Sequence, residues 1–138
     1  MTQQHALIID DEPDVITYLE SLLSDRGWET RGTTSANEGL QMAHERAPDV
    51  ILLDIMMPER GGLSTLVALR KDRSLQSVPV VFVTAVEEHV HNIYDREGEK
   101  SFQKYLDRIK SYRADGFLEK PIDPERLFSV LDEVTRAA

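Results

Sequence analysis

The run Val50-Ile51-Leu52-Leu53-Asp54 constrains this chain more than any other stretch. It opens with four apolar residues in unbroken succession. A strand with one wet face would alternate, so a continuous run predicts a parallel strand covered by helices on both faces. The run ends on a carboxylate. Pro58 then stops further pairing and opens a loop. Asp54 thus falls at the C-terminal tip of a central strand, the edge where open α/β sheets bind ligands.

The rest of the chain repeats this unit. His5-Ala-Leu-Ile-Ile reads as a first strand that runs into Asp10 and Asp11. Pro13 suits a first helical turn, with Asp11 or Glu12 as N-cap. Val15, Ile16, Leu19, Leu22 and Leu23 form an apolar helical stripe, and Gly27 is a natural stop. Trp28–Gly32 reads as a weaker strand near an edge. Ser35-Ala-Asn-Glu38 matches a capping box for a second helix carrying Leu40 and Ala43, which Pro48 ends. After the Gly61-Gly62 loop, Leu63, Leu66, Val67 and Leu69 mark a third helix. Val78–Val83 is another continuous apolar strand, ending at Thr84. Phe117 and Leu118 form a short fifth strand before Lys120-Pro121. Asp123-Pro124-Glu125 opens a final helix with Leu127, Val130, Leu131 and Val134. Strand and helix alternating five times imply one parallel sheet with helices on both faces.

A chain of 138 residues suits one domain, here residues 1–138. It has no cysteine, which excludes disulfides and thiolate metal sites. The opening residues do not resemble a signal peptide, and no apolar run approaches a membrane span. A cytoplasmic, membrane-free location is the expectation. The net charge of −9 disfavours direct nucleic-acid binding. Residues 1–69 hold 12 acids against 4 bases, so the acidity lies mostly in the first half.

Four strand tips carry polar groups: Asp10 and Asp11, Asp54, Thr84, and Lys120. In a parallel sheet these tips share one edge. Any one of them alone is an ordinary cap, turn residue or solvated charge; their joint occurrence points to a site. Three nearby carboxylates repel unless a proton or cation intervenes. All-oxygen donors select a hard cation, Mg²⁺ above all. A carboxylate can also attack phosphorus, a transfer that needs positioning and charge neutralisation. No Ser, Cys or His nucleophile–base set is evident, and His5, His44, His89 and His91 are scattered.

These motifs resemble the receiver domain of two-component response regulators. The matching segments are Ile9-Asp10-Asp11-Glu12-Pro13, Leu53-Asp54-Ile55-Met56-Met57-Pro58 followed by Gly62, Val83-Thr84-Ala85, and Phe117-Leu118-Glu119-Lys120-Pro121. The resemblance implies a doubly wound (βα)5 flavodoxin-like sandwich around a five-stranded parallel sheet. It implies that Asp54 accepts a phosphoryl group from a sensor histidine kinase or phosphotransfer protein. Asp11, Asp54 and the Met56 backbone carbonyl would bind Mg²⁺, with Asp10 assisting through water. Thr84 and Lys120 would contact the phosphoryl oxygens, Thr84 and Phe117 would form the switch, and the bond to Pro121 would be cis. The domain would catalyse only its own phosphotransfer and dephosphorylation. Output would pass to a protein partner through the face of helix 4, strand 5 and helix 5, or through residues 86–113; a homodimer through that face is a further expectation.

The chain departs from the family pattern between strands 4 and 5. Thr84 and Lys120 stand 36 residues apart, which predicts an insertion at about 86–100. The stretch reads as a short helix, a polar break at Asp95–Ser101 and a second helix over Phe102–Tyr112, or as one long helix through Gly98. An insertion just after Thr84 would overhang the site or extend the switch surface. Gly61 stands where many relatives carry an acid. Met56 and Val86 flank the expected path of hydrolytic water and orient water poorly, which predicts slow self-dephosphorylation.

Ending at the fifth helix, the chain leads us to expect a stand-alone receiver. The rivals are a phosphorylation-independent binding module of the same fold and a receiver excised from a hybrid kinase or larger regulator. A phosphohydrolase would need an acid where Met56 stands, and no glycine-rich nucleotide loop follows the first strand.

Overall fold

A computed structural model of the chain describes residues 3–57, 60–84 and 114–136. The expected insertion at 86–100 and the helical stripe at 102–112 lie outside the described residues. The five strands are β1 (His5–Ile9), β2 (Glu29–Thr33), β3 (Val50–Asp54), β4 (Val80–Thr84) and β5 (Gly116–Glu119). All pair in parallel, in the order β2-β1-β3-β4-β5. The helices are α1 (Pro13–Asp25), α2 (Ala36–Glu45), α3 (Gly62–Lys71) and a C-terminal helix (Pro124–Arg136). This is the doubly wound flavodoxin-like sandwich.

Two-sided burial accounts for the unbroken apolar strands. Ala6 and Ile8 of β1 and Leu52 of β3 join Ile16, Leu19 and Leu23 of α1 and Leu127, Val130 and Leu131 of the C-terminal helix in one cluster. Their neighbours Leu7, Ile9, Ile51 and Leu53 face the opposite way, among Ala36, Ala43, Leu66 and Leu69 of α2 and α3. Each β3 residue is buried. Burying a side chain of this size is worth about 1.5–3 kcal/mol, so a polar residue inside the run would be costly.

Local chemistry sets the helix ends. Ser35 Oγ accepts from the Glu38 amide at 3.1 Å, an N-cap for α2. Asp123 does the same for the C-terminal helix, taking the Arg126 amide at 3.0 Å. At the end of α1, Gly27 takes φ 84°, a left-handed conformation that glycine adopts without steric cost. Its amide bonds Ser24 O and the Trp28 amide bonds Leu23 O, each at 3.0 Å, a Schellman closure.

That closure explains one difference from the sequence reading. Trp28 belongs to the helix stop, and β2 begins at Glu29. Likewise β4 begins at Val80 rather than Val78. The Val78 amide closes a turn onto Leu75 O at 3.0 Å, and Pro79 has no amide to pair. As an edge strand, β2 is only half-buried over most of its length.

Candidate functional site

The sheet order reverses direction between β1 and β3, and crevices at such switch points are where open α/β sheets hold ligands. Asp10 follows β1 directly, and Asp54 ends β3 on the neighbouring strand. Thr84 ends β4, one residue beyond the Asp54–Val83 pair. Lys120 follows β5, its amide bonded to Thr84 O at 2.8 Å. Asp10, Asp54 and Thr84 are buried. Carboxylate oxygens of Asp10, Asp11 and Asp54 all lie within 4.8 Å of one another.

Each acid has a distinct set of partners. Asp54 Oδ1 accepts from the Met56 amide at 3.2 Å. Asp10 Oδ1 accepts from the Glu12 amide at 2.9 Å, which fixes the start of α1. Asp10 Oδ2 is buried and makes no aligned hydrogen bond. The Lys120 ammonium stands 3.1 Å from it, 3.5 Å from Glu12 Oε2 and 3.8 Å from Asp54 Oδ2. Asp11 is the most open of the three acids.

Burial pushes the Asp54 carboxyl up to about 7, with Asp10 and Asp11 adding to the shift against Lys120 and the Met56 amide. Burial also raises Asp10. Burial pulls Lys120 down, but Asp54, Asp10 and Glu12 outweigh it and its ammonium is held above the usual range. The site thus carries more negative charge than one lysine offsets. A buried, under-bonded carboxylate oxygen beside two further carboxylates is the donor set a hard divalent cation fits.

Gly62 is a site residue whose role was not legible in the sequence. Its amide bonds Ile55 O at 2.8 Å. A Cβ there would stand 2.6 Å from Ile55 Cα and 2.9 Å from the Asp54 carbonyl oxygen, so only glycine lets α3 start this close to the site. Asp11, Ile55, Met56, Gly61 and Leu63 border an open hollow of about 540 Å³ beside Asp54. The Met56 side chain is 55% exposed at its rim. Phe117 packs on Phe82, ring centroids 5.9 Å apart and planes at 33°. The Lys120–Pro121 bond is cis. Val86 lies outside the described residues.

Sheet order and the acid-and-lysine cluster at the switch point define a flavodoxin-like α/β domain with a candidate cation site at its C-terminal edge. The chain belongs to the response regulator receiver domain family of two-component systems, whose model matches residues 6–132. Protein PilH of Pseudomonas aeruginosa is 27% identical over 128 residues, 93% of this chain and 94% of PilH. Response regulator Rre1 of Synechocystis sp. is 34% identical over 128 residues, 91% of this chain and 48% of Rre1. The chain therefore spans nearly all of one relative and about half of another. The solved structure of the chemotaxis response regulator CheY4 of Vibrio cholerae superposes with a TM-score of 0.79 at 27% identity, covering 96% of this chain and 99% of CheY4. No helix among the described residues is long and apolar enough to cross a membrane.

Proposed function

We propose that this chain is a cytoplasmic receiver that accepts a phosphoryl group on Asp54 from the phosphohistidine of a sensor kinase or phosphotransfer protein. The observation that carries the reading is the placement of Asp54: buried at the tip of β3, with its Oδ2 3.8 Å from the Lys120 ammonium and two further acids beside it. In the transfer, an Asp54 carboxylate oxygen attacks phosphorus. The phosphorus–nitrogen bond of the donor breaks, and its electron pair returns to the imidazole, which picks up a proton.

Asp10, Asp11, Asp54 and the Met56 carbonyl are the groups that would hold Mg²⁺, Asp10 through water. The ion would neutralise charge on the phosphoryl oxygens. Lys120 supplies a second positive charge, and the Thr84 hydroxyl a hydrogen bond. Until the transfer, Lys120 is shared between Asp10 and Asp54. A phosphoryl group on Asp54 competes for it.

Thr84 and Phe117 form the switch. Phe117 sits on β5 directly across from Phe82 of β4, so a change at Thr84 is two residues from the ring stack. The population shift this requires is a difference of a few kcal/mol in phosphoryl affinity between conformers. Output passes to a protein partner through the face that includes β5 and the C-terminal helix, or through residues 86–113.

Intact mass after incubation with acetyl phosphate and Mg²⁺ tests this. One added phosphoryl group, absent in Asp54→Asn and in metal-free controls, is the expected result. No addition from acetyl phosphate or from any candidate kinase, with Mg²⁺ still bound, would overturn it in favour of a phosphorylation-independent module.

A further inference from the structure

Lys120 reaches the acids from a short loop, and a four-carbon side chain puts its ammonium in place only if its backbone is held. Upstream, the Lys120 amide is tied to Thr84 O at 2.8 Å. Downstream, Asp123 caps the C-terminal helix. Between these anchors Pro121 has no amide to donate. The Ile122 side chain is buried in the cluster that holds Ile16 and Leu19 of α1. Its carbonyl accepts the hydroxyl of Tyr18, from α1, at 3.0 Å across 104 residues of sequence.

Tyr18 is 43% exposed, so its ring is not there chiefly to fill the core. It lines a mostly apolar hollow of about 510 Å³ with Glu12, Val15, Lys120, Pro121 and Ile122. Its hydroxyl could be satisfied by water, yet it is directed onto the loop carbonyl two residues after the lysine. The start of α1 thus holds this segment twice, by the N-cap residue Glu12 at the ammonium and by Tyr18 of the helix at the backbone.

We propose that Tyr18 is a positioning residue for Lys120: its hydroxyl, bonded to the Ile122 carbonyl, fixes the loop that presents the ammonium to Asp10 and Asp54. The consequence for phosphoryl transfer rests on the phosphoacceptor reading of Asp54. Acetyl phosphate needs no protein docking, so its transfer rate isolates this effect from any contact a kinase makes with α1.

The test compares Tyr18→Phe, which keeps the ring, with Tyr18→Leu, which does not, in the full chain. A neutral hydrogen bond of net value corresponds to about threefold to tenfold in rate. Tyr18→Phe should slow phosphoryl uptake from acetyl phosphate by that factor with Mg²⁺ affinity unchanged. In a Lys120→Ala background the same substitution should change nothing further, because its effect acts through the lysine. Wild-type rates in Tyr18→Phe with a loss only in Tyr18→Leu would overturn the proposal, as would an equal slowing with and without Lys120. If the wild-type chain takes up no phosphoryl group from acetyl phosphate or from any candidate kinase, the phosphoacceptor reading fails on its own. The positioning claim is then decided by the ¹⁵Nζ resonance of Lys120, which Tyr18→Phe should shift; an unmoved resonance would overturn it.

Discussion

The ammonium of Lys120 lies 3.1 Å from Asp10 Oδ2, nearer than its 3.8 Å approach to Asp54 Oδ2. The lysine is therefore the counter-charge of the pair of buried acids rather than of Asp54 alone. Removing one partner of a buried ion pair leaves an uncompensated charge. Acids can escape that penalty by taking a proton, and both Asp10 and Asp54 are already shifted toward doing so.

Lys120→Met should therefore destabilise the metal-free chain by about 2 kcal/mol at pH 8 and by clearly less at pH 5, where protonation relieves the acids. Urea unfolding at the two pH values measures this. Equal losses at both would show that the lysine acts through packing, not charge.

Asp54 sets a second pH dependence. Unfolded, an aspartate releases its proton near pH 4, whereas the folded carboxyl holds it to about 7, chiefly through burial. Between those values the native state binds more protons, so this group lowers stability as pH rises through the window, with no further loss above it. Asp54→Asn should remove that slope and be more stable than wild type at pH 8 by about 2 kcal/mol without metal. Parallel stability curves for the two proteins would refute the assignment. Adding Mg²⁺ should stabilise wild type more than the variant, with proton release on binding visible by calorimetry in two buffers of different ionisation enthalpy.

At the opposite edge of the sheet, His5 gives a slope of the other sign. The Arg31 Nε–H donates to His5 Nε2 at 2.8 Å, which requires a neutral ring. Arg31 also bonds the Met42 and Arg46 carbonyls at the end of α2. Burial, and then the charges of Arg31 and Arg46, hold His5 below its usual range against the opposing pull of Glu29 and Asp49. As pH falls through about 6.5 the unfolded chain takes a proton that the folded chain refuses, so stability present above that pH is lost below it. His5→Gln should flatten the decline between about pH 6.5 and 5. Wild-type steepness in the variant would place the acid sensitivity elsewhere.

Gly62→Ala tests the fit of α3 against the site. With the new Cβ 2.6 Å from Ile55 Cα, backbone must move, since no flexible side-chain end is available to give way. A cost of about 1–3 kcal/mol is expected, together with shifted amide resonances at Ile55 and Met56. Gly61→Ala serves as control, because a Cβ there meets nothing within 4 Å. Equal stability in the two variants would contradict the close approach.

Most of the frame was legible from short-range pattern. The unbroken run to Asp54 demanded two covered faces, and β3 has them. Ser35, Gly27 and Asp123 announced helix ends through their own side chains or lack of one. Where the reading slipped, at Trp28 and Val78, propensity favoured a strand but a backbone amide found a partner in the preceding turn. The polar strand tips were legible as a set because a parallel sheet brings such tips to one edge.

What the sequence by itself determined is the order of elements, the parallel sheet and the acids and lysine at its C-terminal edge, since periodicity and capping are properties of neighbouring residues. Only the tertiary structure decided that Lys120 leans toward Asp10, that Tyr18 reaches the Ile122 carbonyl, that His5 must stay neutral beneath Arg31, and that the backbone after Asp54 leaves no room for a side chain at Gly62. Those depend on ångström-scale distances between segments far apart in the chain and on how completely each group is withdrawn from water. No local pattern encodes either quantity.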